Sequence, residues 1–353
     1  MKDKGNKNMN KIINNFMLKN PKVIRQMVQC THAYNETILN PFHIEGSIWT
    51  HTLMVCKEME IIITKDKGLT TEEIKELKWA ALLHDIAKPI TRYINKEREM
   101  VMFMGHESFG MFRALDVLGK EDTLSEKNKI NIILLIGLHS FLQKNTNKKV
   151  EESFVGQERL LNSVQKLYRA DNDGRYIVGE IRGITDKYTI QEKTRLEYNN
   201  TINILIGPHL SGKTMYVNNV KSDKFIISRD ALLKRHFGDL GKSIKQIKTK
   251  FNKENQDRLN CIIEAQIVNA VKSGKEIFID ASNLSKQERE IYINNKLLVT
   301  YKKKAIIFVT SYGELMSRNR DRKRVPNFII EKECKRLSIP FYNEFDEILY
   351  KIN

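Results

Sequence analysis

The sequence predicts a multidomain chain: an all-α N-terminal domain followed by an α/β domain built on a parallel sheet. Three observations carry this. A length of 353 residues corresponds to about two domains at roughly 150 residues each. Through about residue 190 the apolar residues recur at helical spacing. After Lys193 they gather into strand-length runs separated by helical stretches, the pattern of a parallel sheet covered on both faces. The polar segment Thr185 to Asn200 divides the two, giving domains at 1–190 and 201–353 with a linker at 191–200.

In the N-terminal half, Thr70 stands three residues before Glu73, a capping-box spacing, and Leu69 can pack on Ile74. Ile74, Leu77, Ala81 and His84 follow at helical spacing, and Pro89 is expected to end the run. Ser47–Ile63, Ile130–Ser140 and Glu158–Asp171 repeat the pattern. The first twenty residues, rich in Lys and Asn, read equally as a tail or a short helix. In the C-terminal half the strand candidates are Ile202–Ile206, Phe225–Ile227, Ile277–Ile279 and Ala305–Val309.

Lys and Arg total 60 against 43 Asp and Glu, a formal charge of +17. Such a surface favours a polyanionic partner, nucleic acid before anionic membrane. A lysine-rich codon bias gives the same charge with no partner. No stretch approaches the roughly 18 apolar residues of a membrane span, and MKDKGNKNMNK lacks the apolar core of a signal peptide. Cys30, Cys56, Cys261 and Cys334 are isolated, which fits a reducing cytoplasm and no zinc ribbon.

Four histidines and two aspartates fall where a core ought to be apolar. His51 shares a helical face with Ile48 and Val55. His84 and Asp85 close the helix begun at Thr70, and His106 follows Gly105. His139 follows Ile132, Leu135 and Ile136, and Asp171 follows Leu161, Val164, Leu167 and Tyr168, each at helical spacing. One such histidine is ordinarily a hydrogen-bonded core residue. Six ionisable groups buried unpaired would cost several kcal/mol each. A shared metal removes that cost, because imidazole and carboxylate are ligands of borderline divalent ions. One or two divalent transition metals are therefore expected on His51, His84, Asp85, His106, His139 and Asp171. Two metals about 4 Å apart suit phosphoester hydrolysis, one activating water and both neutralising phosphoryl oxygens. Lys88, one turn beyond His84, is either a contact for a substrate phosphate or a solvated helix end.

The ordered set, with HDIAKP at 84–89, GHESFG at 105–110 and RADNDGR at 169–175, resembles the HD superfamily of metal-dependent phosphohydrolases over about residues 45–176. The resemblance implies a core metal site of His51, His84, Asp85 and Asp171, and a second metal held with His106 and His139. It also implies phosphomonoester or phosphodiester substrates, often in nucleotides or nucleic acids.

Residues 207–214 read GPHLSGKT, which fits GxxxxGK[ST]. The segment lies between the apolar run TINILI and a helical stretch, the strand–loop–helix context of a P-loop. Gly207, Ser211 and Gly212 are its expected phosphate contacts. Lys213 is placed to reach the β- and γ-phosphates, and the Thr214 hydroxyl to ligate Mg²⁺. Asp230, in Ser228-Arg229-Asp230 at the carboxyl end of the second strand, reads as a base for an attacking hydroxyl or as the N-cap of a helix. Asp280 ends the run EIFID, suited to holding Mg²⁺ through water or simply to a turn. In SRNRDRKRVP (317–326), Arg318 and Arg322 are i, i+4 neighbours. They could close over transferring phosphates, or belong to a solvated basic helix or a nucleic-acid patch.

GPHLSGKT, SRD, DASNLS (280–285) and RNRDR followed by VP together resemble the 5′-hydroxyl polynucleotide kinase domain of phage and bacterial RNA-repair enzymes, over about residues 201–345. The resemblance implies Asp230 as general base and Arg318 and Arg322 as the paired arginines. Arg229, Asp280 and Asn283 also match family positions, which implies Arg229 and Asn283 as substrate contacts. One departure stands out. The family's acceptor-contacting arginine, three residues after the base, is Leu233 here, with Lys234 and Arg235 beyond it as the remaining acceptor contacts.

An HD module ahead of such a kinase module resembles the bifunctional end-healing enzymes called HD-Pnk. This implies ATP or another NTP with Mg²⁺ in the second domain and RNA or DNA ends as substrate, in a bacterial or phage-infected cytoplasm. A separate RNA ligase is the implied partner, since no KxDG-type nucleotidyl-lysine motif is evident. Two other readings compete. One is a nucleoside kinase fused to a nucleotide phosphohydrolase. The other is an ATP-switched RNA-binding protein with a degenerate HD fold.

Overall fold

A computed structural model of the chain describes residues 3–353 apart from 36–37, 39, 178–186, 194–196, 242–245, 248–249 and 323–324, and no side chain of 3–8 or 322. Part of the expected linker, 194–196, and the side chain of Arg322 thus lie outside the described residues. The chain divides into two compact units, Met1–Glu192 with Ser311–Gly313, and Lys193–Thr310 with Glu314–Asn353.

The first unit is helical. Residues Asp3–Lys19 form α1 and Pro21–Gln29 form α2, so the Lys/Asn-rich start is a helix rather than a tail, with Met9 and Phe16 buried. Helices α3 (Ile48–Lys65), α4 (Thr71–Leu83), α7 (Glu126–Leu138) and α10 (Glu158–Asp173) supply the walls of the core. Ser47 caps α3 by accepting from the Thr50 amide at 3.1 Å. Reciprocal capping boxes, Thr70 with Glu73 and Ser125 with Asn128, start α4 and α7. These side chains satisfy amide donors that a helix N-terminus otherwise leaves unpaired. The buried stripes include Val55 and Met59, Leu77 and Ala81, Ile132 and Ile136, and Leu161 and Val164. Each large apolar side chain buried in this way stabilises the unit by about 1.5–3 kcal/mol.

Two features differ from the sequence reading. The α4 helix stops at Leu83, and Pro89 lies at the start of the short helix α5 (Lys88–Thr91) rather than at the end of the long one. In a first turn the missing proline N–H costs nothing. After α5 the strands β1 (Arg92–Asn95) and β2 (Met100–Phe103) make an antiparallel hairpin before α6 (His106–Leu118). The short α8 (Phe141–Lys144) and α9 (Asn147–Ser153) join α7 to α10.

The second unit carries a five-stranded parallel sheet in the order β4-β5-β3-β6-β7. The strands are β3 (Asn200–Ile206), β4 (Lys224–Ser228), β5 (Glu276–Asp280), β6 (Tyr301–Val309) and β7 (Glu347–Ile352). The central β3 is buried from Ile202 to Ile206, as a strand covered on both faces must be. Leu205, Phe278, Ile306 and Phe308 pack with Val217 of α11 (Lys213–Asn219). The chain leaves β3 for the far strand β4 and later crosses to β6 on its other side. Functional loops gather at the carboxyl ends of strands around such a switch point.

Candidate metal centre and candidate phosphotransfer site

The helical unit brings together the six ionisable residues singled out in its sequence. His51 lies in the first turn of α3. His84 and Asp85 follow the last turn of α4, His106 opens α6, His139 follows α7, and Asp171 is near the end of α10. They form two sets, His51–His84–Asp171 and Asp85–His106–His139, in each of which the potential ligand atoms lie within 4.8 Å of one another. Asp85 faces both. Its Oδ2 is 3.7 Å from His51 Nε2 and 3.3 Å from His84 Nε2. Its Oδ1 is 3.6 Å from His106 Nε2 and 3.9 Å from His139 Nε2.

The hydrogen bonds fix which nitrogen faces inward. Nδ1 of His84 lies 2.9 Å from the Ala81 carbonyl, Nδ1 of His106 2.7 Å from that of Phe103, and Nδ1 of His139 2.7 Å from that of Ile136. A carbonyl only accepts, so each Nδ1 carries a hydrogen, and the inward-facing Nε2 is where the neutral form of the ring holds its lone pair. Yet His106 Nε2 and His139 Nε2 are 3.2 Å apart, and His84 Nε2 and His51 Nε2 are 3.4 Å apart. Asp85 is buried, and neither of its oxygens receives a hydrogen bond of normal geometry among the described residues. The inward nitrogens of His84, His106 and His139, converging on a buried carboxylate that Lys88 pairs on Oδ2, fit a divalent cation.

The electrostatics agree. Burial pushes Asp85 up, but His84 and Lys88 outweigh it and hold the carboxyl well below its usual range. Burial likewise opposes the charge on Asp171, and Arg175 and His51 overcome it. Burial pulls His106 down to about 4 and also lowers His139, keeping both rings neutral, as ligands must be. His51 differs. Burial lowers it, but its bonds to Asp171 and Glu45 prevail and raise it to about 9.

In the second unit the P-loop runs from the end of β3 into α11. It borders a cleft of about 1040 Å³ lined by Ser211, Gly212, Lys213, Thr214, Arg229, Asp230, Lys234, Asp280, Asn283 and Arg318, among others. Gly207 has φ 155°, and a Cβ there would come within 2.8 Å of the Phe308 carbonyl oxygen and of Ser211 Oγ. Lys213 donates to the carbonyls of Gly207 and Pro208, both at 2.7 Å, so its ammonium lies over the loop. Thr214 Oγ1 donates to Asp280 Oδ2 at 3.0 Å, pairing the two groups expected at Mg²⁺. Burial raises Asp280, and the nearby charge of Asp230 adds to the rise.

Residues 48–174 match the family model of the HD domain, and residues 202–337 match that of an AAA domain. An HD domain precedes an α/β P-loop domain. This is the order of the HD-Pnk resemblance. The chain is also similar to two solved structures. One is described as a kinase, from Chloroflexus aurantiacus, with 18% identity over 44% of this chain and 86% of that one and a TM-score of 0.32. The other is the APS kinase of Mycobacterium tuberculosis in complex with AMPPNP and APS, with 16% identity over 43% and 89% and a TM-score of 0.27. No curated protein matches the chain.

Within the P-loop domain, Asp230 lies in the first turn of α12 (Arg229–His236), and Ser228 occupies the N-cap position. The carboxylate is therefore not the cap. Arg229 donates to Gln256 Oε1 at 3.0 Å, and Arg318 to the Leu210 carbonyl at 3.0 Å, so Arg318 abuts the P-loop. Leu233 is buried and Lys234 lines the cleft, whereas Arg235 is absent from the described lining. Asn283, expected to meet substrate, has φ 47° and donates its amide to the Leu205 carbonyl at 2.8 Å. It braces the ends of β3 and β5.

Within the HD domain, Lys88 is buried, with Nζ 2.7 Å from Asp85 Oδ2; it is not a solvated helix end. Several neighbours escaped the sequence reading. Glu45 Oε1 is 3.0 Å from His51 Nδ1, and Arg175 pairs with Asp171 Oδ2 at 2.9 Å. Glu107 is 3.4 Å from His106 Nδ1 and pairs with Lys144. Glu107 and Arg175 fall inside the quoted motifs, which was the available signal. In the P-loop domain, Glu333 accepts from the His209 amide at 2.8 Å and faces His209 Nδ1 at 2.5 Å, bracing the loop.

Among the described residues, no helix is long and apolar enough to cross a membrane.

Proposed function

We propose that the chain is a bifunctional nucleic-acid end-healing enzyme. Its P-loop domain transfers the γ-phosphoryl group of ATP or another NTP to a polynucleotide 5′-hydroxyl. Its HD domain hydrolyses 2′,3′-cyclic phosphate or 2′-phosphate ends. The observation that carries this reading is the presence on one chain of two phosphate-directed centres: the pair of ligand sets that Asp85 faces, and the P-loop cleft with Thr214 bonded to Asp280.

In the cleft, Asp230 accepts the proton of the acceptor hydroxyl as its oxygen attacks the γ-phosphorus in line with the departing β–γ bridging oxygen. Lys213 and Arg318 offset the charge on the phosphoryl oxygens. Mg²⁺ accompanying the nucleotide belongs beside Thr214 and Asp280. Lys234 meets the acceptor strand in place of the arginine that Leu233 replaces.

In the HD domain, divalent transition metals would supply an activated water and charge neutralisation. His51, His84 and Asp171 would hold such an ion on one side, and Asp85, His106 and His139 on the other. The +17 charge serves both centres by drawing in a phosphate backbone. A separate RNA ligase completes the repair.

The buried Leu233 favours one rival, a kinase for free nucleosides beside an HD nucleotide phosphohydrolase. Competition separates them. A 5′-hydroxyl oligonucleotide and a nucleoside are offered together with labelled ATP. Label on the oligonucleotide supports the proposal, and label on the nucleoside supports the rival.

A further inference from the structure

Ahead of α3, His32 and His43 form a pair of histidines outside the two ligand sets. Their rings stack, with centroids 3.9 Å apart and planes 8° from parallel. Phe103 and His51 meet the His32 ring edge-on, at 5.2 and 5.9 Å. His43 Nδ1 lies 2.8 Å from Glu45 Oε1, the same oxygen that faces His51 Nδ1. The His32 ring is thus fixed in place through His43 and Glu45 to a residue of the metal centre.

His32 is buried, and its Nε2 lies 2.9 Å from Lys88 Nζ. An ammonium can only donate, so Nε2 accepts and the ring's hydrogen sits on Nδ1. That Nδ1 finds no hydrogen-bond partner among the described residues. A ring that leaves one buried N–H unmatched while bonding Lys88 with the other nitrogen is poorly explained by packing alone. A third metal on His32, His43 and Glu45 is disfavoured, because it would face the Lys88 ammonium across the His32 ring.

Lys88 has two partners of different character. Asp85 Oδ2, at 2.7 Å, belongs to the carboxylate that forms one ligand set with His106 and His139 and also faces His84 of the other set. A divalent cation held by Asp85 would repel the ammonium and weaken that hold. The neutral His32 ring still accepts from it. Lys88 then stays beside the centre, and the next anion within its reach is a phosphoryl oxygen bound there.

We propose that His32, fixed by its stack on His43, is a positioning residue that keeps Lys88 at the metal centre as a contact for the substrate's phosphoryl oxygen. This rests on the metal-centre reading above.

The test uses full-length protein loaded with Mn²⁺ and inorganic phosphate as the probe, read by calorimetry and by metal analysis. His32→Phe keeps a flat ring on His43 and removes the acceptor. It is expected to weaken phosphate binding about tenfold, the scale of a hydrogen bond to a charged group, with Mn²⁺ content unchanged. In a Lys88→Met background the same change is expected to add less than about twofold, since the coupling is between these two residues. His32→Gln, which restores an acceptor, is expected to recover part of the affinity. Equal losses in both backgrounds, no loss in either, loss of Mn²⁺ from His32→Phe, or a metal-loaded protein that binds no phosphate would each overturn the role of His32. An unmodified protein that takes up no Mn²⁺ would instead overturn the metal centre itself, and the proposal with it.

Discussion

His106 Nε2 and His139 Nε2 lie 3.2 Å apart while the Nδ1 of each ring is turned to a carbonyl oxygen of its own chain segment. Two lone pairs facing each other in a buried space are repulsive, and Asp85 Oδ1 closes the third side. Metal uptake is the expected consequence. After chelation, titration with Mn²⁺ should load two ions per chain and release protons. Binding at a hundredfold excess over Kd adds about 2.7 kcal/mol per site, or roughly 5–10 °C in the melting temperature of a domain this size. Asp85→Asn should abolish loading of the pair and the HD-domain phosphoesterase activity together. Unchanged metal content in that variant would contradict the shared role of Asp85.

How much of this was legible in the sequence depended on periodicity. His51, His84, His139 and Asp171 continue apolar helical stripes, so their inward placement could be read. His32, His43 and Glu45 lie on an irregular segment between α2 and α3, where no period says which side chain turns inward. The hairpin of β1 and β2 escaped because its strands are short and its alternation weak. The edge strand β7, EILYKI, is only half-buried throughout and lacks the continuous apolar run that marked β3, β5 and β6. At the P-loop, spacing alone located the nucleotide side. The bracing by Glu333 is a contact over 124 residues of sequence that no local pattern encodes.

Metal affinity should rise with pH. His51 is raised to about 9 by its bonds to Asp171 and Glu45, against the effect of burial. Below that pH the ring is protonated, and a cation must expel the proton before it can bind. Apparent Mn²⁺ affinity measured from pH 6 to 9 should therefore increase, and His51→Ala should remove loading at every pH. A flat profile would contradict the proton competition.

Asp230→Ala should lower phosphoryl transfer by about 10²–10⁴-fold, the range of general base catalysis, and leave the phosphoesterase unchanged. Separate assays of the two activities on one preparation check this. Transfer persisting at the unmodified rate would remove Asp230 from the role of base.

Gly207→Ala should damage the nucleotide site. The added Cβ would approach the Phe308 carbonyl oxygen and Ser211 Oγ to 2.8 Å, at a φ that L residues rarely adopt. A cost of about 1–3 kcal/mol is expected, read as a lower melting temperature and weaker ATP binding. An unaltered ATP affinity would mean that the loop relaxes freely.

Arg289 supplies a contrast without direct chemistry. It is fully buried, pairs with Glu344 at 2.9 Å, and donates to the carbonyls of Asn283, Leu284 and Ser338. Arg289→Met leaves a buried carboxylate unpaired and should cost about 3–5 kcal/mol. Adding Glu344→Leu should recover much of it. Denaturant unfolding of the single and double variants would show whether the loss comes from the stranded charge or from the carbonyls.

The central claim, that both centres act on nucleic-acid ends, is tested most directly with one RNA oligonucleotide carrying a 5′-hydroxyl and a 2′,3′-cyclic phosphate. It is incubated with the full-length protein, ATP, Mg²⁺ and Mn²⁺, and both termini are read by mass spectrometry. The account predicts a gained 5′-phosphate and an opened or removed terminal phosphate on the same molecule. An unchanged oligonucleotide, with ATP still consumed when a nucleoside is supplied, would contradict it.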